Sequence, residues 1–372
     1  MMKNKVMGLI NLVHEPDELE GLTASRCPAT VPFGGRYRLI DFVLSNMVNS
    51  GISRVAVLAH TKYRSLMDHL GSGKHWDLHN RQSGLFILPP TSDDAQDLRR
   101  GDLYHMFQNR DYLMRSHHEY VVLARSHVIC NVDLESVVAF HEKQQADITV
   151  VCKRQSSSAP GKSRKVLLDA VTGRVLEMQD HYGRLNTDLV SSEIYVIGRE
   201  LLLELVESSL AQGQEHLVRH AIMTRLDQLK VYGYQFDGYL GLVNTLESYY
   251  YNNMQLLRSD VWKDLFFRPG PIYTKVKDEP PARYLEGAKV SGSVVANGCV
   301  IEGTVINSVL FRGVHVRKGA IIRNSIIMQN GVVGENSMLD YAILDKDVMI
   351  EQGRDIRGAA GSPFVAGKRK II

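Results

Sequence analysis

"LFRGVHVRKGAIIRNSIIM", residues 310–328, steps forward six residues at a time. Leu310, Val316, Ile322 and Met328 stand one step apart, and Gly313, Gly319 and Gly331 fall on multiples of the same step. Upstream, Val294, Val300 and Ile306 keep it too, and the two series lose phase near Asn307. One aliphatic per six residues is the pattern of a hexapeptide β-helix, in which each aliphatic points into a narrow prism and each coil buries the next. An ordinary β-sandwich is the alternative reading of so many short strands.

Working outward, residues 287–372 carry this texture, and 266–286, which includes the proline-rich "FFRPGPIYTKVKDEPPARY" (Phe266 to Tyr284), reads as a linker. Residues 1–265 read differently. "VMGLINL", "RVAVLAH", "YVVLA" (Tyr120 to Ala124) and "DITVVCK" are short apolar strands separated by amphipathic helices. One helix places Leu39, Ile40, Val43, Leu44, Met47 and Val48 on one face, with Gly51 as its cap. Another starts at Asp133. Tyr63 to Leu70 reads as a short helix, and "LLDAVTGRVLEM" as a hairpin. Such alternation predicts an α/β domain with a mostly parallel sheet and helices on both faces.

Composition narrows the function. Lys and Arg number 44 against 41 Asp and Glu, and no basic run is laced with aromatics, so no nucleic-acid surface is expected. The most basic stretch, "KSRK" (Lys162 to Lys165), reads as a solvated loop or a phosphate contact. Cys27, Cys130, Cys152 and Cys299 are scattered with no Cys-x-x-Cys pair, which fits neither a zinc site nor a disulfide framework and predicts a reducing cytoplasm. The apolar N-terminal run stops at His14-Glu15-Pro16, too short to span a bilayer, and reads as a buried strand; no membrane partner is expected.

The segment after that strand is "LINLVHEPDELEGLT" (Leu9 to Thr23). In an α/β sheet this turn is where glycines admit phosphates to bare backbone. Here it holds Glu15, Asp17 and Glu18, and no glycine before Gly21. The acidic turn reads as a solvated loop or a subunit contact.

"PFGGRYRLIDFVLSNMVNSGI", "GSGKHWDL" (Gly71 to Leu78), "ILPP" (Ile87 to Pro90) and "NTLESYYYNNMQLL" (Asn244 to Leu257) resemble the bacterial ADP-glucose pyrophosphorylase (glucose-1-phosphate adenylyltransferase) family over nearly the whole chain. The resemblance implies a Rossmann-like nucleotidyltransferase domain followed by a left-handed β-helix. It implies a reaction in which glucose 1-phosphate attacks the α-phosphorus of ATP with Mg2+ held by carboxylates. At the positions matching the family's motifs, the Gly-Gly-x-Gly-Thr-Arg-Leu turn is the acidic segment above, and the lysine before Pro-Ala is Cys27. The metal aspartate of Ser-Gly-Asp-His is Ser126, with His127 kept, and the second metal aspartate is Leu242 in "YLGLVNT". The Glu-Lys-Pro of the sugar phosphate is "MQDHY" (Met178 to Tyr182), without lysine, and Arg-Gly-Thr-Ala is "RGDL" (Arg100 to Leu103). Metal stabilisation contributes several kcal/mol, and each ~1.4 kcal/mol is a factor of ten in rate, so its loss alone costs on the order of a thousandfold or more.

The pattern therefore resembles the non-catalytic GlgD-type branch, which assembles with a catalytic GlgC-type subunit in heterotetramers. It implies no catalytic residues, no cofactor on this chain and Mg2+ in the catalytic partner. Ligand positions left as remnants, or taken over by a phosphorylated sugar effector, are Arg36, Arg38, Asp41, Gln108 and Ser191. Arg36 and Arg38 bind a phosphate or cap nearby carbonyls. Asp41 and Asn46 read first as structural hydrogen-bonding groups, Gln108 matches a nucleotide-site region, and Ser191 a sugar-site serine. His69, His75 and His79 read as surface or loop histidines, and His315 as a coil-surface residue. The rival readings are a weakly active adenylyltransferase, a hexapeptide acyltransferase relying on His315, and a stand-alone metabolite sensor.

Overall fold

The computed structural model describes residues 5–80, 83–91, 97–156, 159–181 and 185–372. The first domain is built on a nine-stranded mixed sheet. Its strands are β1 (Val6–Asn11), β2 (Arg54–Leu58), β3 (Gly84–Leu88), β4 (Tyr120–Ala124), β5 (Ile148–Arg154), β6 (Lys165–Leu168), β7 (Val175–Gln179), β8 (Leu189–Gly198) and β9 (Val231–Gln235). β1, β2, β3 and β4 are mutually parallel, and β8 crosses antiparallel beside β4 and β5. β1 is buried at all its positions, as a central parallel strand covered on both faces must be.

Helix α1 (Leu39–Asn49) packs Ile40, Val43, Leu44 and Met47 under the sheet. It begins where the Asp41 side chain accepts from the Arg38 backbone N–H, and it ends before Gly51, whose φ of 76° only glycine adopts cheaply. α2 (Asp102–Gln108) and α3 (Leu134–Lys143) follow, the latter capped by Asp133 accepting from the Glu135 N–H. α4 (Leu246–Gln255) and α5 (Ser259–Phe266) close the domain, which also holds helices at Arg64–Leu70, Arg110–Met114 and Arg199–Ala211.

Residues 267–282 form neither helix nor strand, and Arg283–Tyr284 already pairs with Val300–Ile301 as the first rung of the β-helix. Three parallel five-stranded sheets form its sides. His315 pairs with Val332 and Val332 with Met349, so these coils take 17 residues, one short of three equal steps of six, whereas the coil from Val300 to His315 takes 15. The inward residues Val316, Ile322, Ile327, Val333, Leu339, Leu344 and Ile350 accordingly advance by six, six and five. The six-residue step read from the sequence is corrected by that five-residue side. Ile301 and Val305 fill the prism where Val300 and Ile306 were expected, and Ile327 does so in place of Met328.

Met328 faces the first domain instead. With Val309, Phe311, Ile326 and Ile343 it joins an apolar cluster containing Phe33, Phe42, Tyr249, Tyr250 and Phe266. Polar contacts also span this junction: Arg26 with Asp345, both buried, and the Tyr250 hydroxyl donating to the Asn324 carbonyl at 2.6 Å. Among the described residues no helix is long and apolar enough to cross a membrane.

Candidate functional site

A polar cleft of about 500 Å³ lies past the ends of β1 and β4. It is lined by His14, Arg125, His127, Lys162, Arg164, Asp180, Ser191, Arg219 and Leu242, among others. The segment after β1 enters it stitched to each wall. Asn11 Oδ1 takes the Val13 N–H at 3.0 Å, and Arg125 Nη1 donates to the Val13 carbonyl at 2.6 Å. A nitrogen of the His14 ring lies 2.9 Å from the Arg100 carbonyl. Glu18 bonds through its backbone to Asn244 and Leu246, and through its side chain to Lys162. Asp17 accepts from Thr23 Oγ1 at 2.7 Å.

Glu15 makes the decisive contact. Its carboxylate accepts the Ser126 N–H at 2.6 Å and the Ser126 hydroxyl at 2.7 Å, and both residues are buried. His127 Nδ1 stands 3.6 Å away, also buried and without a hydrogen-bond partner of its own. Burial pushes the Glu15 carboxyl up, but His127, Ser126 and Arg125 outweigh it and hold the group below the usual glutamate value. Glu15 is thus buried inside the chain rather than on a solvated loop, while Asp17 and Glu18 of the same turn are exposed.

These residues do not fit magnesium. A hard cation needs oxygen acceptors, whereas Ser126 presents two hydrogen-bond donors to the site. Leu242 supplies a buried alkyl group, held where Gly241–Leu242 pairs with Val128–Ile129. No cluster of three or more His, Cys, Asp or Glu able to hold a metal exists among the described residues. Cys27, in place of the family lysine, is buried with its thiol pushed up to about 11, so it carries no charge at neutral pH.

"KSRK" is not a solvated loop: Lys162 and Arg164 line the cleft and Lys165 opens β6. Arg164 bonds to Asp180 at 2.9 Å and to both Glu193 oxygens at 2.7 and 2.8 Å, while Arg219 binds Asp180 from the other side. Arg125 pairs with Asp102 at 3.1 Å. The cleft cations named here are matched by carboxylates. Nothing local in the sequence signals these pairs, whose partners lie 16 to 144 residues apart.

The five candidate ligand residues do not converge. Ser191 is buried in the cleft wall, 3.3 Å from the Tyr195 hydroxyl. Gln108 is exposed at the end of α2 and is absent from the cleft lining. Asp41, in the first turn of α1, is fully buried, accepting from the Arg38 N–H and lying 2.6 Å from His69 Nε2, a structural role. That contact also corrects His69, which is buried rather than at the surface. Asn46 is structural as well, donating to the Cys130 carbonyl at 3.0 Å. His315 sits half-exposed on a β-helix face. Tyr182 and residues 157–158 lie outside the described residues.

Arg36 and Arg38 belong to the domain junction rather than the cleft. Arg38 donates to the Ser65 carbonyl at 3.0 Å, and Arg36 is exposed against Tyr37. Across the junction stands Lys346, which no sequence pattern singled out. Burial, then Arg38 and Arg26, push it down to about 7, against the attraction of Asp345. Burial lowers Arg38 and Arg312 as well, with Arg26 and Arg36 respectively adding repulsion. Positive charge is in excess here.

A mixed sheet with a polar cleft past its parallel strand ends, followed by a hexapeptide β-helix, defines a nucleotidyltransferase-type chain. The nucleotidyl transferase family model matches residues 17–265, and that of the GlmU-like C-terminal hexapeptide matches 280–359. The glycogen biosynthesis protein GlgD of Bacillus subtilis (strain 168) is 36% identical over 368 residues, covering 99% of this chain and 97% of its own. GlgD of Geobacillus stearothermophilus is 41% identical over 322 residues, 86% of this chain and 84% of its own. The glucose-1-phosphate adenylyltransferase of Bacillus anthracis is 31% identical over 361 residues, 95% of each. The chain belongs to the nucleotidyl transferase family, in the branch that holds GlgD and the glucose-1-phosphate adenylyltransferases.

Proposed function

We propose that this chain serves glycogen biosynthesis as a non-catalytic subunit, assembling with a catalytic glucose-1-phosphate adenylyltransferase and favouring its active state. The observation carrying this reading is the Glu15–Ser126 contact, a carboxylate and two donors at the position a metal aspartate takes in the family. Leu242 at the second position supports it. On this reading the chain itself needs no cofactor, and Mg2+ acts in the partner. Regulation is a population shift: contacts with this chain stabilise the partner's active conformation, by no more than their differential free energy for its two states.

A second element of the proposal is a phosphorylated effector at the domain junction, near Arg38, Arg26 and Lys346. An anion there relieves the crowding that depresses the lysine. The test measures pyrophosphate release from ATP and glucose 1-phosphate with Mg2+ for this chain alone, the catalytic chain alone and the two mixed. Silence alone with raised turnover or affinity in the mixture supports the proposal. Turnover by this chain alone overturns it and restores the reading of a weak adenylyltransferase.

A further inference from the structure

The shell around Glu15 is that of an anion receptor. It has one backbone N–H and one hydroxyl, both on Ser126 and both aimed at carboxylate oxygens at 2.6 and 2.7 Å. Beside them are a buried His127 nitrogen with no hydrogen-bond partner and the Arg125 guanidinium, itself anchored on Asp102 and the Val13 carbonyl. Arg125 is anchored on the Asp102 node, and Ser126 sits next to it in the turn that joins β4 to the Val128–Ile129 strand, so neither depends on Glu15 for its place in the chain. Asp102 also takes Asn11 Nδ2 at 2.8 Å and the Leu217 N–H at 2.9 Å. A receptor held by its own scaffold persists when its occupant is removed, and charge-assisted donors left empty in a buried site cost free energy that any fitting anion recovers.

We propose that Ser126, with Arg125 and His127, forms an oxyanion site that the chain fills with its own Glu15, and that a free carboxylate or phosphate-type oxyanion binds there once Glu15 is withdrawn. Glu15 is then an internal ligand that closes the cleft against anions. This inference is independent of assembly with a catalytic chain and is read on the isolated protein.

The test compares wild type, Glu15→Ala and Glu15→Gln by thermal unfolding at constant ionic strength, titrating sodium acetate or inorganic phosphate against sodium chloride. Glu15→Ala gains a saturable stabilisation by acetate or phosphate, about an 11-fold rise in the folding constant at ten times the dissociation constant. Wild type and Glu15→Gln, whose side chains still occupy the shell, gain none. Response to acetate alone marks a carboxylate receptor, and response to both a general oxyanion site. Equal responses in all three chains, or none in any, overturn the proposal. If Glu15→Ala folds only when acetate or phosphate is present the proposal stands, and if it folds under neither condition the proposal fails. Hydrogen exchange of the Ser126 amide in wild type gives an independent readout, since exchange at the unprotected rate would show the site empty.

Discussion

Ser126→Asp returns a carboxylate to the position where the family carries its metal ligand, and the structure dictates what that costs. The Ser126 hydroxyl lies 2.7 Å from Glu15, and the residue is fully buried. The substitution replaces a charge-assisted hydrogen bond of about 1.5–3 kcal/mol with a second negative charge. Two carboxylates about 4 Å apart repel by about 4 kcal/mol at an effective dielectric constant near 20. The folded chain has a cheaper escape: it holds one proton between the pair. Raising a carboxyl from its ordinary value near 4.5 to above 7 costs about 3 kcal/mol at pH 7. The expected destabilisation is therefore about 4–6 kcal/mol at neutral pH. The sign with pH follows from that shared proton. The variant's folded state binds one proton more than its unfolded state between the ordinary carboxyl value and pH 7, so its deficit shrinks by ~1.4 kcal/mol per unit as pH falls from 7 to 5. Urea unfolding of wild type and variant at pH 7, 6 and 5, followed by a probe in the first domain, measures both quantities. A variant as stable as wild type at pH 7, or a deficit that does not change with pH, refutes the assignment of Glu15 to the Ser126 pocket.

Three further outcomes are expected at the domain junction and its charges. Lys346→Met removes a lysine depressed from 10.5 to about 7. The folded wild type holds fewer protons than the unfolded chain across that window, so its stability rises with pH from 7 to 10.5 while the variant's does not. Near pH 7 the variant is the more stable by several kcal/mol at ~1.4 per unit, as denaturant titrations at pH 7 and 9.5 will read. Arg26→Ala leaves Asp345 charged and buried without its partner and costs 3–5 kcal/mol, on the order given by broken buried pairs, visible as earlier separation of two unfolding transitions in calorimetry. Tyr250→Phe deletes only the hydroxyl bonded to Asn324 and lowers stability by about 1 kcal/mol in the same assay.

What could be read from the sequence follows the range of the interactions. α1 was legible because its apolar spacing and Gly51 are local, and the β-helix because its repeat recurs coil after coil. Its inward register was displaced because a uniform six-residue step cannot reveal the shorter sides of coils that take 15 or 17 residues. The acidic turn was legible as an anomaly but not as a contact, since Ser126 lies 111 residues from Glu15. His69 was misplaced for the same reason: its burial is set by Asp41, 28 residues earlier and on another helix. Lys346 gave no signal, because its depression arises only when Arg26 and Arg38 are folded against it from the other domain.

The distribution of charge sets the cleft apart from the domain junction where an effector is proposed. In the cleft, Arg125, Arg164, Arg219 and Lys162 each face a carboxylate of the chain itself, and the anion-accepting donors of Ser126 hold Glu15. An incoming polyanion there must displace bonds already made, so it gains only the difference between two similar sets of contacts. At the junction the balance runs the other way. Asp345 is bonded to Arg26, and Lys346 is held partly neutral by burial and by the cations around it. An anion entering beside Lys346 and Arg38 adds attraction and draws a proton onto Lys346, while Arg26 stays paired with Asp345. Effector binding at the junction should consequently take up protons at pH 8 and weaken as pH rises above 7. The cleft, by contrast, is stitched from within by contacts from Asn11 to Glu18.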